Sequence, residues 1–362
     1  MILPIHYVER LQAFGYTEDE AVFLYIAATH SGYFTVRQFL AYIQAHRGNR
    51  SQNFTNKLLA LGHASMQRHS ANHRVYHLCS RQLYASIGKD DLRHRRTHQA
   101  AYVRARLLGL DFILAHSKDS YFEHEQAKRD YFCEELGIPE EVLPQRRFFQ
   151  QGTLKRRFFP DDFPLALSFP GDSSSPVVTF TFIDTGHHDP DCYAAHIRAY
   201  MALFRELRRF RFVYISTPGG FFTEAQPLFL LLLDGEARTG LRRYFTVRRR
   251  WEGENYRLLT DGDLIFLNGA EKRFQGRLFD RLYFDWKQRR LPRAFRAEPK
   301  QAGKLCPIVA FETFEAKTPE PIFGAHRSPW GERRSKTGVT LCGSPLASPR
   351  ARSEVSTTEA DA

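Results

Sequence analysis

Apolar residues recur at helical spacing through the first sixty residues of the chain. One stripe predicts a helix after Thr17, which with Glu20 three residues later forms the pattern of a capping box. A second stripe predicts a helix capped by Thr35, and a third predicts a helix from Ser51 to Gly62. The stripes are Ala21, Leu24, Tyr25 and Ala28; Phe39, Leu40 and Ile43; and Phe54, Leu58 and Leu61.

Two short strands are predicted after the third helix. Residues 64–68 and 74–78 have the pattern of a hairpin with basic residues at its turn. Three helices followed by a basic hairpin are typical of a winged helix-turn-helix. In that plan the third helix enters the major groove of DNA, and the hairpin contacts the backbone or the minor groove.

Helical and strand patterns alternate in the rest of the chain. The β-branched and aromatic run 177–184 predicts a strand, and a helix and a further strand follow it. This order predicts an α/β sheet with a crossover. We therefore predict a multidomain α+β fold: a winged-helix domain over residues 1–90, a helical connector over 91–140, an α/β domain over 141–316 and a disordered tail over 317–362.

The distribution of charge indicates the partner. The chain has 362 residues and a formal net charge of +12. No Asp or Glu occurs from Ala21 to Lys89, a stretch that holds eight Lys and Arg residues. A solvated surface normally mixes both signs, so this stretch predicts a polyanionic partner, double-stranded DNA. The alternative is compositional drift in an Arg-rich chain.

The predicted third helix and the hairpin supply the candidate DNA contacts. Asn, Gln, Arg and Lys pair with base edges in the major groove, and unopposed cations bind phosphates. The groove-facing candidates are Arg50, Gln52, Asn53, Asn56 and Lys57, and the hairpin candidates are Arg68, His73 and Arg74. The alternative is a winged helix that contacts other proteins.

A second basic segment lies near residue 245. Seven arginines between Arg238 and Arg257 are interleaved with aromatic residues. This pattern predicts either an auxiliary phosphate contact with stacking partners or a charged edge strand. A later amphipathic helix has Phe279, Leu282, Tyr283 and Trp286 on its predicted core side.

The cysteines and the apolar runs of the chain indicate the cellular compartment in which it folds. Five scattered cysteines without a Cys-x-x-Cys spacing are typical of a reducing cytosol and indicate neither a disulfide framework nor a zinc module. No apolar run approaches the roughly 20 residues that span a bilayer. The first residues lack the layout of a signal peptide. We therefore expect a cytoplasmic protein without membrane contact.

Two segments together resemble the replication-relaxation family of plasmids and integrative elements. They are "HRVYHLCSRQLYASIG", and "FPDDFPLAL" followed by "FTFIDTG", and the resemblance covers about residues 15–215. It implies a winged helix joined to a degenerate restriction-endonuclease-like domain, in a protein of replication or transfer control. The matched residues are Tyr76, Leu78 and Gly88 in the first segment, and Pro160, Asp161 and Asp184 in the second.

The resemblance also implies where a nuclease site would lie. Such a site holds Mg²⁺ with two or more carboxylates and has a lysine two residues after the second. Asp161 or Asp162 matches the first carboxylate, but the second position is Phe182. If Asp184 substitutes, Gly186 stands where the lysine belongs. We therefore predict a catalytically silent domain without a cofactor.

Two other functions fit the same residues. One is a Mg²⁺-dependent DNA nuclease or nickase built on Asp161, Asp162 and Asp184, with His187 and His188 as base or metal ligands. The other is an adaptor that binds replication or relaxosome proteins. Our main prediction is duplex DNA binding in the replication or transfer of a mobile element.

Overall fold

The computed structural model describes residues 4–46, 48–69, 73–150, 152–169, 176–186, 190–253, 257–290 and 308–317. The predicted α+β class is confirmed over these residues, which form helices and three separate sheets. None of the described helices is long and apolar enough to cross a bilayer.

The first part of the chain combines helices with a small antiparallel sheet. In this sheet β3 lies between β1 and β2. The predicted helices and hairpin are present, whereas β1 was not predicted. The elements are α1 Ile5–Gln12, α2 Glu18–His30, β1 Tyr33–Thr35, α3 Val36–Tyr42, α4 Asn49–Ala60, β2 Ala64–Arg68, β3 Arg74–Leu78 and α5 Arg81–Ser86, followed by a 3₁₀ turn at Arg93–Arg95.

Side-chain caps fix where the first helices begin. The Thr17 hydroxyl accepts the Glu20 N–H at 3.4 Å and the Glu20 carboxylate accepts the Thr17 N–H at 2.9 Å, so the predicted capping box is confirmed. Thr35 caps α3 in the same way. The predicted cap of α4 is wrong, because Ser51 lies inside the first turn, where its hydroxyl donates to the Gly48 carbonyl at 3.0 Å.

The second part of the chain is built on a larger sheet. Its elements are α6 Ala100–Ala115, β4 Ser120–Tyr121, α7 Glu125–Asp130, a π-helical turn Tyr131–Glu135, a 3₁₀ turn Glu140–Val142, β5 Gln145–Gln150, β6 Thr153–Phe158, β7 Leu165–Ser168, β8 Val177–Asp184, α8 Pro190–Glu206, β9 Arg209–Ser216, α9 Phe222–Leu233, α10 Gly235–Glu252, α11 Asp261–Arg273, α12 Arg277–Lys287 and β10 Ile308–Glu315. The strand order is β10-β9-β8-β7-β4, with β8, β9 and β10 parallel and β7 and β4 antiparallel to their neighbours. β5 and β6 form a separate two-stranded ribbon.

Helices cover both faces of the central sheet. On one face Phe180 and Phe182 pack against aromatic residues of α8, with ring centroids 5.0 Å from Phe204 and 4.9 Å from Tyr193. On the other face Ile183 belongs to a core that continues through α6 into α2 and α4. The two parts of the chain therefore share one core, and β4 brings residues of the predicted connector into the sheet.

The structure tests two predictions for the last third of the chain, an edge strand and an amphipathic helix. The predicted edge strand is wrong, because α10 carries the arginines from Arg238 to Arg250 on a helix. The amphipathic helix is confirmed as α12, with Phe279, Leu282 and Tyr283 buried and with Trp286 half-buried against the same core. Residues 318–362 of the predicted disordered tail lie outside the described residues.

Gly32, between α2 and β1, provides a test of this packing. Its φ is +76°, and a Cβ there would lie 2.7 Å from the His94 Cβ and 2.8 Å from the His94 carbonyl oxygen. We expect Gly32→Ala to lower the free energy of unfolding by about 3 kcal/mol or more, because backbone strain adds to a clash with backbone. Urea unfolding of the full chain measures the loss.

Gly62→Ala is the matched control for this prediction. Gly62 has a φ of +64° but no atom within 4 Å of the added Cβ. Its substitution should cost only the left-handed strain, about 1–2 kcal/mol. Equal losses in the two variants would contradict the close contact between Gly32 and His94.

Candidate nucleic-acid interface and carboxylate site

One face of α4 is polar and exposed. Gln52, Asn53 and Asn56 lie on it, and the Gln52 amide donates to the Asn56 side-chain oxygen at 2.7 Å. The opposite face buries Phe54 and Leu58. The amphipathic helix thus brings together three of the predicted groove-facing residues, with side chains that pair with adenine edges.

The two cations of α4 are paired with the first turn of α2. Arg50 forms an ion pair with Asp19 in which both side chains are about half exposed. Lys57 donates to the Glu20 carboxylate and to the Gly15 carbonyl, each at 2.7 Å. An exposed ion pair is weak, so Arg50 can exchange its partner for a phosphate. Lys57 instead joins α4 to the start of α2.

Half of the cations in the acid-free stretch are paired with acids. Four of its eight Lys and Arg residues pair with carboxylates from outside the stretch: besides the two on α4, Arg37 lies 2.5 Å from Asp111 and Lys89 lies 2.5 Å from Glu123. The assumption of unopposed charge was wrong for these four. No local pattern indicates these ion pairs, because the acids come from elements that are distant along the chain.

The β2–β3 hairpin keeps its arginines exposed. Arg68 and Arg74 lie directly opposite each other, and within the described residues neither forms an ion pair. Like charges at opposed positions destabilise a hairpin, and a phosphate between them would relieve the repulsion. His73 is half-buried, and its carbonyl accepts the His69 N–H at 2.8 Å. The turn residues 70–72 lie outside the described part of the chain.

The first two predicted carboxylates have different partners. The Asp161 carboxylate lies 2.8 Å from the His196 Nδ1. Asp162, with a φ of +55°, forms an ion pair with Arg106. Burial raises the pKa of Asp162, but the Arg106 guanidinium, together with the charges of His94, Lys128 and Arg157, outweighs burial and holds that pKa well below its usual range. Asp162 therefore has a structural role, as the ionised partner of Arg106.

Asp184, the third predicted carboxylate, is enclosed at the end of β8. It is 2% exposed, and its two oxygens accept the Tyr214 hydroxyl at 2.5 Å and the Gly186 N–H at 2.8 Å. Burial, with Asp184 adding to it, raises the pKa of the Tyr214 phenol, so the phenol stays a donor. Asp184 thereby connects β8 to β9 and to the turn that follows β8.

An aromatic side chain lies beside Asp184 at the position of the expected second carboxylate. Phe182, at the position of the expected second carboxylate, packs its ring 5.1 Å from that of His196. Among the described residues, no three His, Cys, Asp or Glu side chains are grouped as metal ligands. His187 and His188, the other predicted ligands, lie outside the described residues.

Sequence reasoning missed a buried group around Arg106 of α6. The Arg106 guanidinium lies over the Tyr102 ring at 4.7 Å and donates to the Asp162 carbonyl at 3.0 Å. His94 is 6% exposed, and its Nδ1 lies 3.1 Å from the Tyr102 hydroxyl. Burial, with the Arg106 charge adding to it, lowers the pKa of His94 to about 3.

Comparison with known proteins adds no relative: no family model, curated protein or solved structure matches the chain. The resemblance to the replication-relaxation family stays a prediction from the residues named above. The case for a function rests on the contacts of the chain itself.

The partners of Lys57 and Arg50 predict different roles for the two cations of α4. We expect Lys57→Ala to lower the free energy of unfolding by about 1–3 kcal/mol, because Glu20 is 4% exposed and loses its cation. Arg50→Ala is the matched control and should cost less than about 0.5 kcal/mol, because its ion pair is exposed. Urea unfolding at pH 7 measures both. Equally small effects would contradict a structural role for Lys57.

The buried His94 predicts acid sensitivity. Its pKa is about 3 in the folded chain, against about 6.5 in an unfolded chain. The unfolded state therefore binds a proton first, so stability is fully present above about pH 6.5 and falls by about 2 kcal/mol by pH 5. His94→Asn should reduce the loss between pH 7.5 and pH 5 by about this amount, measured by urea unfolding. The exposed His46→Asn is the control, and an unchanged loss in His94→Asn would refute the assignment.

Proposed function

We propose that this chain binds duplex DNA through a winged helix-turn-helix formed by α2–α4 and β1–β3. The order helix, strand, helix, helix, strand, strand supports this proposal, as does the position of β3 between β1 and β2. In such a unit α4 is the recognition helix and the β2–β3 hairpin is the wing.

The observation that carries the proposal is the exposed face of α4. Gln52, Asn53 and Asn56 are exposed amides on one side of a helix whose other side is buried. Amides of this kind make paired hydrogen bonds to adenine in the major groove. The opposed Arg68 and Arg74 of the wing supply the cations that phosphates require.

We further propose that the second part is a restriction-endonuclease-like scaffold that does not cleave DNA. The order α6, β4, β7, β8, α8, β9 supports this fold, with an antiparallel meander followed by a parallel crossover strand. Asp161 precedes β7, and Phe182 lies on β8 where a carboxylate would be needed. Asp184 already accepts two hydrogen bonds.

The resemblance to the replication-relaxation family gives this DNA binding a biological setting. The proposed role is control of replication or transfer of a plasmid or another mobile element, in the cytoplasm. Duplex DNA is the direct partner, and replication or relaxosome proteins would bind to the scaffold.

The experiment is a titration of the full chain with a pool of random duplexes at several salt concentrations. We expect Arg68→Ala and Arg74→Ala each to reduce the slope of log K against log salt by about one unit, because each removes one phosphate contact. Lys272→Ala, an exposed cation on α11, is the control and should leave the slope unchanged.

Sequence selection from the same pool tests the recognition helix separately. Asn53→Ala should keep the salt slope and lose about 1–3 kcal/mol of preference for the selected site. If none of these variants changes affinity, slope or preference, the winged-helix proposal fails, and the first part of the chain is assigned to protein contacts.

A further inference from the structure

The ribbon formed by β5 and β6, residues 145–158, is called the arm here. From Arg146 to Arg156 every described residue of the arm is exposed, and the arm pairs with no other described strand. Only its base is packed: Phe158 is buried, and its N–H donates to the Glu125 carboxylate at 2.9 Å. At about 3.3 Å per residue, strands of this length extend about 20 Å.

The arm is purely cationic. Its charged residues are Arg146, Arg147, Lys155, Arg156 and Arg157, with no Asp or Glu between them. The register sets Arg146 opposite Arg157 and Arg147 opposite Arg156. Because side chains alternate along a strand, one arginine pair lies on each face of the arm. Within the described residues none of the five cations forms an ion pair.

This arrangement destabilises the free arm. Like charges at opposed positions disfavour strand pairing, and a two-stranded ribbon without a packed face is marginal in water. Other cations of the chain have a counter-charge, as Lys57 and Arg37 do. Arg157 is half-buried, and its charge acts on Asp162. The four exposed cations of the arm form no described ion pair, so a polyanion would stabilise them.

The end of the arm adds exposed apolar side chains. Phe149 and Leu154 lie opposite each other near the turn and are 78% and 49% exposed. They share a face with Arg147 and Arg156. Apolar side chains beside arginines are typical of segments that contact or partly unstack bases once the cations have bound phosphates.

The distribution of charge over both faces favours a nucleic acid over a lipid surface. A bilayer presents its charge on one side of a bound segment, so an interfacial segment separates a polar face from an apolar one. The arm has an arginine pair on each face. A DNA groove has phosphates along both walls, and the major groove admits a two-stranded ribbon.

We propose that the arm is a second DNA-binding element, which enters a groove of duplex DNA with its arginine pairs on the phosphates and with Phe149 and Leu154 against the bases. The proposal goes beyond the winged helix. It uses no residue of α4, β2 or β3, and it holds whether or not those elements bind DNA.

The test uses the full chain and a duplex of about 30 base pairs, in a titration across salt concentrations. Arg147→Gln with Arg156→Gln, and Arg146→Gln with Arg157→Gln, should each reduce the slope of log K against log salt by about two units. Each pair should weaken binding at 0.15 M salt by about tenfold or more. Removing the repulsion between the exposed Arg147 and Arg156 should keep or raise the melting temperature, so the loss in that variant cannot come from unfolding.

Two controls separate the contributions of charge and position. Lys272→Gln with Arg273→Gln removes the same charge from α11 and should leave the slope unchanged. Phe149→Ser with Leu154→Ser should leave the slope unchanged and weaken binding by about threefold to tenfold, because stacking is insensitive to salt.

The outcomes distinguish the two DNA-binding elements. Slope losses in the arm variants with none in Arg68→Ala and Arg74→Ala would support the arm and remove the β2–β3 hairpin from the DNA contacts. The winged-helix proposal is refuted if Asn53→Ala also leaves the sequence preference unchanged. Losses in the wing variants alone would refute the arm. Binding to vesicles with 30% phosphatidylserine that depends on the arginine pairs, without any change in the DNA slope, would also overturn the proposal.

Discussion

The whole molecule depends on the double burial of α6. One side of this helix packs on α2 and α3, and the other side packs on β8 and β9, so it is apolar nearly all round. Gly109 lets the sheet approach closely, since a Cβ there would lie 3.2 Å from Ile183 Cδ1. Arg106 donates to the His30 carbonyl at 3.3 Å and to the Asp162 carbonyl at 3.0 Å. The two parts are therefore fixed to each other by packing and by hydrogen bonds from a single buried side chain.

Counter-charge in this chain is supplied across long sequence separations. Asp111 of α6 holds Arg37 of α3, and Glu123 holds Lys89. A stretch without acids is consequently not a surface without acids. In the two hairpins, β2–β3 and β5–β6, arginines oppose arginines and form no ion pair within the described residues. On this basis the surfaces that favour a polyanion are narrower than the sequence suggests, and one of them lies outside the predicted DNA-binding domain.

The features that could be predicted from sequence depend on neighbouring residues. The capping box at Thr17, the apolar stripes of the first helices and the strand that ends at Asp184 are of this kind. Other features depend on residues far apart in sequence, so no local pattern contains them. They are the strand β1, the partners of Lys57 and the different partners of the adjacent Asp161 and Asp162. The segment around Tyr244 was ambiguous because its arginines and aromatic residues suit either a strand or a helix. Burial of Tyr244 and Phe245 on α10 resolved it.

The hydrogen bonds of Asp184 change what the retention of an aspartate at the end of β8 indicates about activity. This aspartate has a structural role, because its carboxylate accepts hydrogen bonds from the Tyr214 hydroxyl and the Gly186 N–H and so joins two strands and a turn. Selection for a folded chain is then enough to retain the acid, with no requirement for phosphodiester chemistry. An aspartate preserved at the end of this strand is therefore poor evidence for an active enzyme among homologues that also have the tyrosine.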